Sequence, residues 1–354
     1  MSYILSRRLP SLLKPSLHHP LRHRLSSCAL PTSPSTFLSL DPAPTDSLLA
    51  IGGLYGNPAA LRSILSHASK EGSLLGEPPT MCFNGDFHFF DFPPAVFTLI
   101  HNIVLNYDAL AGNVELALAG EEYEGCGCDY PPYAGSAVAE RADAIVRKLR
   151  SKPENVEMAK KYENLPTQRL YEVGGLRVGV LHGDFKSVSG WSLSAEQVLG
   201  GGGSGGLREF LGIAGSKDYV TDLDELDGQM QEANLDVLLS SHTCLPFGLR
   251  LPSGRLVVNN GSAGIPNFDT RLSSLVTRVS TTPFHDRDAV LYSATAGDGV
   301  HIEAVEVAYD VDVWEELFER MWPEGSEAYI GYADRIGEGV EFWDVERAGR
   351  SLRR

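Results

Sequence analysis

Six times along this chain a short apolar run ends in a cluster of Gly, Asn, Asp, Ser or His. Residues 48–51 run into Gly52-Gly53-Leu54-Tyr55-Gly56-Asn57, residues 80–83 into Asn84-Gly85-Asp86-Phe87-His88, and residues 103–110 into Gly112-Asn113-Val114-Glu115. Residues 170–181 lead to His182-Gly183-Asp184, residues 235–240 to Ser241-His242-Thr243-Cys244, and residues 256–259 to Asn260-Gly261-Ser262-Ala263-Gly264-Ile265-Pro266. Helix-like patterns fill the gaps at 59–69, 94–102, 136–150, 155–164 and 222–234. Strand-like and helix-like segments in alternation predict a layered α/β fold, with a late hairpin of 289–294 and 300–308 turning across 296–299. Such folds build their sites at the carboxyl ends of strands, where these polar clusters fall.

Charge narrows the partners. The 354 residues carry 30 Lys+Arg against 46 Asp+Glu, a net −16. Residues 1–40 hold Arg7, Arg8, Lys14, Arg22 and Arg24 and no acid, which is +5 and leaves 25 − 46 = −21 for the rest. A body this acidic is a poor partner for duplex nucleic acid or an anionic membrane. The basic, Ser/Leu/Pro-rich head has transit-peptide composition, so a mitochondrial or plastid address is expected, with cytoplasm as the alternative. The expected organisation is a presequence or disordered segment over 1–44, a catalytic-type domain over 45–310, and a helical extension with a charged tail over 311–354.

Cysteine usage excludes a disulfide framework: Cys82, Cys126, Cys128 and Cys244 are scattered, with Cys28 in the head. Cys126-Gly127-Cys128 reads as a loop feature, since no second pair completes a four-ligand site. The glycine-rich run 200–206 lacks the following Gly-Lys-Ser/Thr of a phosphate-cradling loop and reads as a flexible surface segment.

Taken together, the clusters resemble the calcineurin-like metallophosphoesterase family, and most the small phosphodiesterase branch whose first motif continues as G-N-x-x-A-L, here Gly56-Asn57-Pro58-Ala59-Ala60-Leu61. The resemblance spans about residues 47–308 and implies a four-layer α/β/β/α sandwich with a two-metal site at the strand ends. Position by position, it implies that Asp86, Asn113, His182 and His242 are the ligands of the second metal. The private ligands of the first metal are replaced by Gly53, Tyr55 and Cys244, and the histidine that serves the leaving group by Val114.

One carboxylate, one amide oxygen and two imidazoles suit a single Mn²⁺, Fe²⁺ or Zn²⁺ ion. The resemblance therefore implies a phosphodiester- or phosphomonoester-directed hydrolase with one ion per chain, weak or narrow in scope, acting on a small phosphorylated substrate or nucleotide. The alternative is an inactive protein of the same fold that binds a metal, a nucleotide or a protein. His88 is a candidate replacement acid, Asp184 a candidate orienting acceptor, Asn57 a candidate substrate contact, and Tyr55 with Cys244 a candidate rebuilt first-metal site.

Overall fold

A computed structural model describes residues 32–200 and 207–352. Among them, twelve strands form two six-stranded mixed sheets. One has the order β1 (Ala43–Pro44), β5 (Gln168–Val173), β6 (Leu176–Leu181), β7 (Val237–Ser240), β9 (Leu256–Asn259), β8 (Phe247–Arg250). The other runs β11 (Val290–Ala296), β12 (Val300–Val307), β10 (Ser274–Ser280), β2 (Ser47–Ile51), β3 (Thr80–Asn84), β4 (Asp108–Leu110). The helices are α1 (Pro58–Leu75), α2 (Pro94–Val104), α3 (Asn113–Ala119), α4 (Ser136–Arg150), α5 (Pro153–Ala159), α6 (Ala195–Val198), α7 (Leu207–Phe210), α8 (Leu223–Glu232), α9 (Val311–Met321), α10 (Glu327–Glu338) and α11 (Val345–Gly349). None of the described helices is long and apolar enough to cross a membrane.

The period-2 geometry of strands explains the layering. In β2, Leu48 and Ala50 join the apolar cluster shared by the two sheets, while Leu49 and Ile51 join the one that includes Leu61 and Ile64 of α1, Phe97 of α2 and Ile145 of α4. Both faces are covered, so all five residues of β2 are buried. On the far side Leu226 and Met230 of α8 cover the other sheet. The architecture is the expected four-layer α/β/β/α sandwich. Parallel pairing of β2 with β3, β3 with β4, β6 with β7 and β7 with β9 aligns the strand ends that carry the motifs.

Several boundaries differ from expectation. The run 103–110 splits, its first residues finishing α2 and only Asp108–Leu110 forming a strand. The segment 170–181, one run in the pattern, is a hairpin turned at Gly174 and Gly175, the strand pair that the resemblance implies ahead of His182-Gly183. The late hairpin forms as expected. Helix α3 and strands β8 and β10 have no counterpart in the pattern reading, although β10 is central, pairing with both β2 and β12.

The break expected at 44/45 falls too late. Residues Pro34–Ser39 form a 3-10 turn whose Phe37 is fully buried, and β1 pairs with β5. Thr32 Oγ1 also donates to the Asp184 carbonyl at 2.5 Å. Residues 1–31 of the expected presequence, and 201–206 of the glycine-rich run, lie outside the described residues. Beyond 310, residues Val311–Met321 form α9 and the tail packs on the body. Trp314, Phe318 and Tyr332 enter the helix-side core, and Trp343 and Leu352 the inter-sheet core.

Candidate metal centre

Asp86, Asn113, His182 and His242 converge at the strand ends, each at most 2 % exposed. His182 Nε2 is the hub. It lies 3.3 Å from Asp86 Oδ2, 3.2 Å from Asn113 Oδ1 and 3.2 Å from His242 Nδ1. Asp86, His182 and His242 each offer a ligand atom within 4.8 Å of the others.

Hydrogen bonding fixes which atoms are free to ligate. His182 Nδ1 lies 2.8 Å from the Asn84 carbonyl, which can only accept, so Nδ1 carries the proton. By the same reasoning His242 Nε2 donates to the Cys128 carbonyl at 3.1 Å. Asn113 Nδ2 donates to the Cys126 carbonyl at 3.0 Å, turning Oδ1 inward. Asp86 Oδ1 accepts from the Val114 N–H at 3.1 Å, while Oδ2 is buried without a hydrogen-bond donor. Four lone-pair donors thus face one point, an arrangement that suits a cation and is costly to bury empty. The donor set fits a divalent ion.

With no ion present, the electrostatics couple Asp86 to His182. Burial alone would raise Asp86, but His182 and His242 together with its hydrogen bonds hold it below the usual carboxylate range. Burial would lower His182, yet Asp86 raises it. His242 is pushed down to about 3 by burial and by the charge of His182. The backbone is tightly constrained here: Asp86 adopts φ 52°, a conformation uncommon for a residue with a side chain. Beside it a Cβ at Gly85 would stand 2.5 Å from His182 Nδ1 and 2.7 Å from Gly112 Cα, so the strand can approach only as glycine.

The positions that the resemblance gives to a first metal are closed by other chemistry. Tyr55 and Cys244, at φ 54° and 61°, hydrogen-bond to each other through Oη and Sγ. Cys244 Sγ donates onward to the His242 carbonyl at 3.1 Å. The Tyr55 ring fills the space beside Gly53, where a Cβ would meet its Cζ at 2.6 Å. Burial and the neighbouring Cys244 push the Tyr55 phenol well above its ordinary value, so it stays protonated. The expected rebuilt pair is therefore together in space, hydrogen-bonded to each other.

Three other expected residues are held elsewhere. His88 stacks on Phe97 with centroids 3.7 Å apart, and its ring nitrogens contact Asp91 Oδ2 and Tyr162 Oη, both at 2.6 Å. An imidazole so engaged has no nitrogen left for a leaving group. Asp184 does not orient His182; it caps its own turn, accepting from the N–H groups of Lys186, Ser187 and Ser192. Asn57 is the N-cap of α1, accepting from Ala60 N at 3.0 Å and donating to the Gly264 carbonyl at 2.8 Å.

Other contributors were not singled out by the motifs' residue types. Glu115 is fully buried and accepts from the backbone N–H groups of Asp86, His88 and Gly112, which shapes the loop carrying Asp86. Its place beside Asn113 and Val114 was the available signal. The Cys126-Gly127-Cys128 segment is indeed a loop, but it lies against the centre and holds Asn113 and His242 through its carbonyls. Trp191 joins this cover, donating to the Cys128 carbonyl at 2.9 Å with its ring 5.4 Å from that of His242.

No family model matches the sequence, and no curated protein matches it. Solved structures similar in fold include a hypothetical protein from Pyrococcus horikoshii OT3, at TM-score 0.48 and 15% identity, covering 83% of this chain and 98% of that one. A metallophosphoesterase from Sphaerobacter thermophilus aligns at TM-score 0.46 and 16% identity over 83% and 99% of the two chains. Vps29 complexed with Zn+2 from Entamoeba histolytica aligns at 0.31 and 12% over 73% and 98%. The candidate metal cluster of Asp86, His182 and His242 occupies the strand ends.

Proposed function

We propose that this chain is a metallophosphoesterase-fold binding protein that holds one divalent ion, Mn²⁺, Fe²⁺ or Zn²⁺, and carries out little or no ester hydrolysis. The observation that carries this reading is the unequal fate of the two half-sites. One keeps four inward lone pairs with their distal atoms anchored to carbonyls or a backbone N–H; the other is filled by the Tyr55–Cys244 pair. When bound, the ion would supply a Lewis acid able to polarise a phosphoryl oxygen.

The protein's own groups supply little else that hydrolysis needs. Val114, fully buried in the apolar core, offers no proton to a leaving alkoxide, and His88 is tied to Asp91 and Tyr162. Recognition of a phosphorylated small molecule or nucleotide fits this centre better than turnover does.

The decisive experiment uses the full chain, because residues 34–44 pack into the body. Elemental analysis should find about one metal per chain, lost in Asp86→Ala, and an aryl phosphodiester with Mn²⁺ should turn over no faster with native protein than with the variant. Absence of bound metal would refute the reading. Turnover that depends on Asp86 would replace it with the hydrolase.

A further inference from the structure

The Cys126-Gly127-Cys128 loop serves the centre through its carbonyls, yet it also brings two thiols there that the reading above leaves unused. Asn113 Nδ2, with two hydrogens to give, donates to the Cys126 carbonyl at 3.0 Å and to Cys128 Sγ at 3.3 Å. The two cysteines therefore set the direction in which Asn113 Oδ1 points. The Cys128 carbonyl in turn accepts from His242 Nε2 at 3.1 Å and Trp191 Nε1 at 2.9 Å. Two of the four converging side chains thus take their orientation from this one loop.

The thiols are placed to react with each other. Neither is in a disulfide, and a separation of two residues keeps their Cα atoms within about 7 Å. Gly127, at φ 65°, turns the chain so that Cys128 Sγ comes back to 3.7 Å from the Cys126 carbonyl. The two side chains also hydrogen-bond to each other. Sulfurs held this way can be bridged by moving the loop alone, without shifting a strand or helix. Cys126 is the outer of the two, 7 % exposed against 1 % for Cys128, in an irregular stretch between exposed Glu124 and Asp129.

We propose that Cys126 and Cys128 form a redox-active dithiol whose oxidation to a disulfide weakens metal binding at the adjoining centre. The inference rests on the one-ion reading above and names a regulation of that centre. The oxidant is a low-molecular-weight disulfide. Cys126 sulfur attacks it and releases one thiol; Cys128 sulfur then displaces the second, so two electrons and two protons leave the cysteines and appear on the two released thiols. Closing the small ring rotates the peptide unit that carries the Cys126 carbonyl and removes the Cys128 thiol as a partner of Asn113. Oδ1 is then no longer held toward the ion, and loss of such supporting bonds costs about 10–100-fold in metal affinity. The coupling is reciprocal: an ion that binds the dithiol form tenfold more tightly raises the reduction potential of the pair by about 30 mV.

The test takes the full chain, reduced with dithiothreitol or oxidised with glutathione disulfide, through peptide mass spectrometry and calorimetric titration with Mn²⁺, an ion poorly suited to thiols. Oxidation should remove two hydrogens, join Cys126 to Cys128 and lower Mn²⁺ affinity at least tenfold, and dithiothreitol should restore both. In glutathione buffers, saturating Mn²⁺ should shift the midpoint of the pair upward. Cys126→Ser should bind Mn²⁺ with an affinity that no longer depends on the oxidant. Because a buried substitution can impair folding, the reversal in the native chain stands as a measurement independent of the variant. Absence of the Cys126–Cys128 bond in excess glutathione disulfide overturns the proposal, as does a disulfide that leaves Mn²⁺ affinity unchanged. Metal bound by the reduced chain in either case leaves the one-ion reading intact. A reduced chain that takes up no divalent ion overturns that reading, and the coupling falls with it.

Discussion

Asp86→Asn separates a cation site from a merely polar cluster. The amide keeps an oxygen for the Val114 N–H, now 3.1 Å from Oδ1, and places an N–H₂ where Oδ2 lies 3.3 Å from His182 Nε2. One hydrogen bond is retained and another is gained while a buried charge is removed, so the metal-free protein should lose no more than about 1–2 kcal/mol. The metal-dependent increment should behave differently. An ion that binds only the folded state stabilises it by about 4 kcal/mol at a free concentration a thousand times its dissociation constant. With an unfolding entropy of about 2.1 cal/mol/K per residue, roughly 300 ordered residues convert that into a rise of about 6 °C in melting temperature. Calorimetry of native and variant chains across a Mn²⁺ and Zn²⁺ series would show the rise in the first and none in the second. A native chain indifferent to both ions and to Fe²⁺, or a variant that keeps the full increment, refutes the argument from converging lone pairs.

Three smaller expectations follow from single contacts. Phe37→Ala should cost about 3–4 kcal/mol in urea denaturation, since a fully buried ring is lost; a cost below about 1 kcal/mol would show that residues 34–44 are not part of the body. Tyr55→Phe removes the hydrogen bond to Cys244 and should cost about 1 kcal/mol while leaving metal content unchanged; loss of the ion on elemental analysis would make Tyr55 a ligand. Burial and the charge of His88 push His101 down to about 4, so between there and its ordinary 6.5 the unfolded chain binds more protons than the folded one. Stability should therefore fall as pH drops through that window, and His101→Gln should flatten the slope of the denaturation midpoint against pH.

The cluster of Asp86, Asn113, His182 and His242 was legible because its residues follow apolar strands directly and the resemblance assigns each a place. What those residues touch was not legible. Nothing local distinguishes His88, locked by an aspartate and a tyrosine, from a histidine free to donate. Strand β10 escaped notice because it is wholly buried yet contains Ser274, Thr277, Arg278 and Ser280, a pattern neither alternating nor apolar. Arg278 is tolerated there because Glu71 and Glu303, distant in sequence, meet it at 2.7 and 2.8 Å. The N-terminal boundary was missed for a compositional reason: a Ser/Pro-rich stretch hides one buried aromatic, Phe37, and a two-residue strand.

The placement of β10 sets an order of assembly. Ile51 of β2 finds its partner in Val276, so one edge of the first strand of that sheet remains open until β10, far later in the chain, has been made. Leu352, two residues from the end of the chain, then occupies the space beside Gly248, where a Cβ would meet its Cδ1 at 2.4 Å. Until β10 is in place this edge of β2 is unpaired, and an unpaired strand edge is prone to intermolecular pairing. Deletion of even a few C-terminal residues should act less on the centre itself than on the yield of molecules that ever complete it.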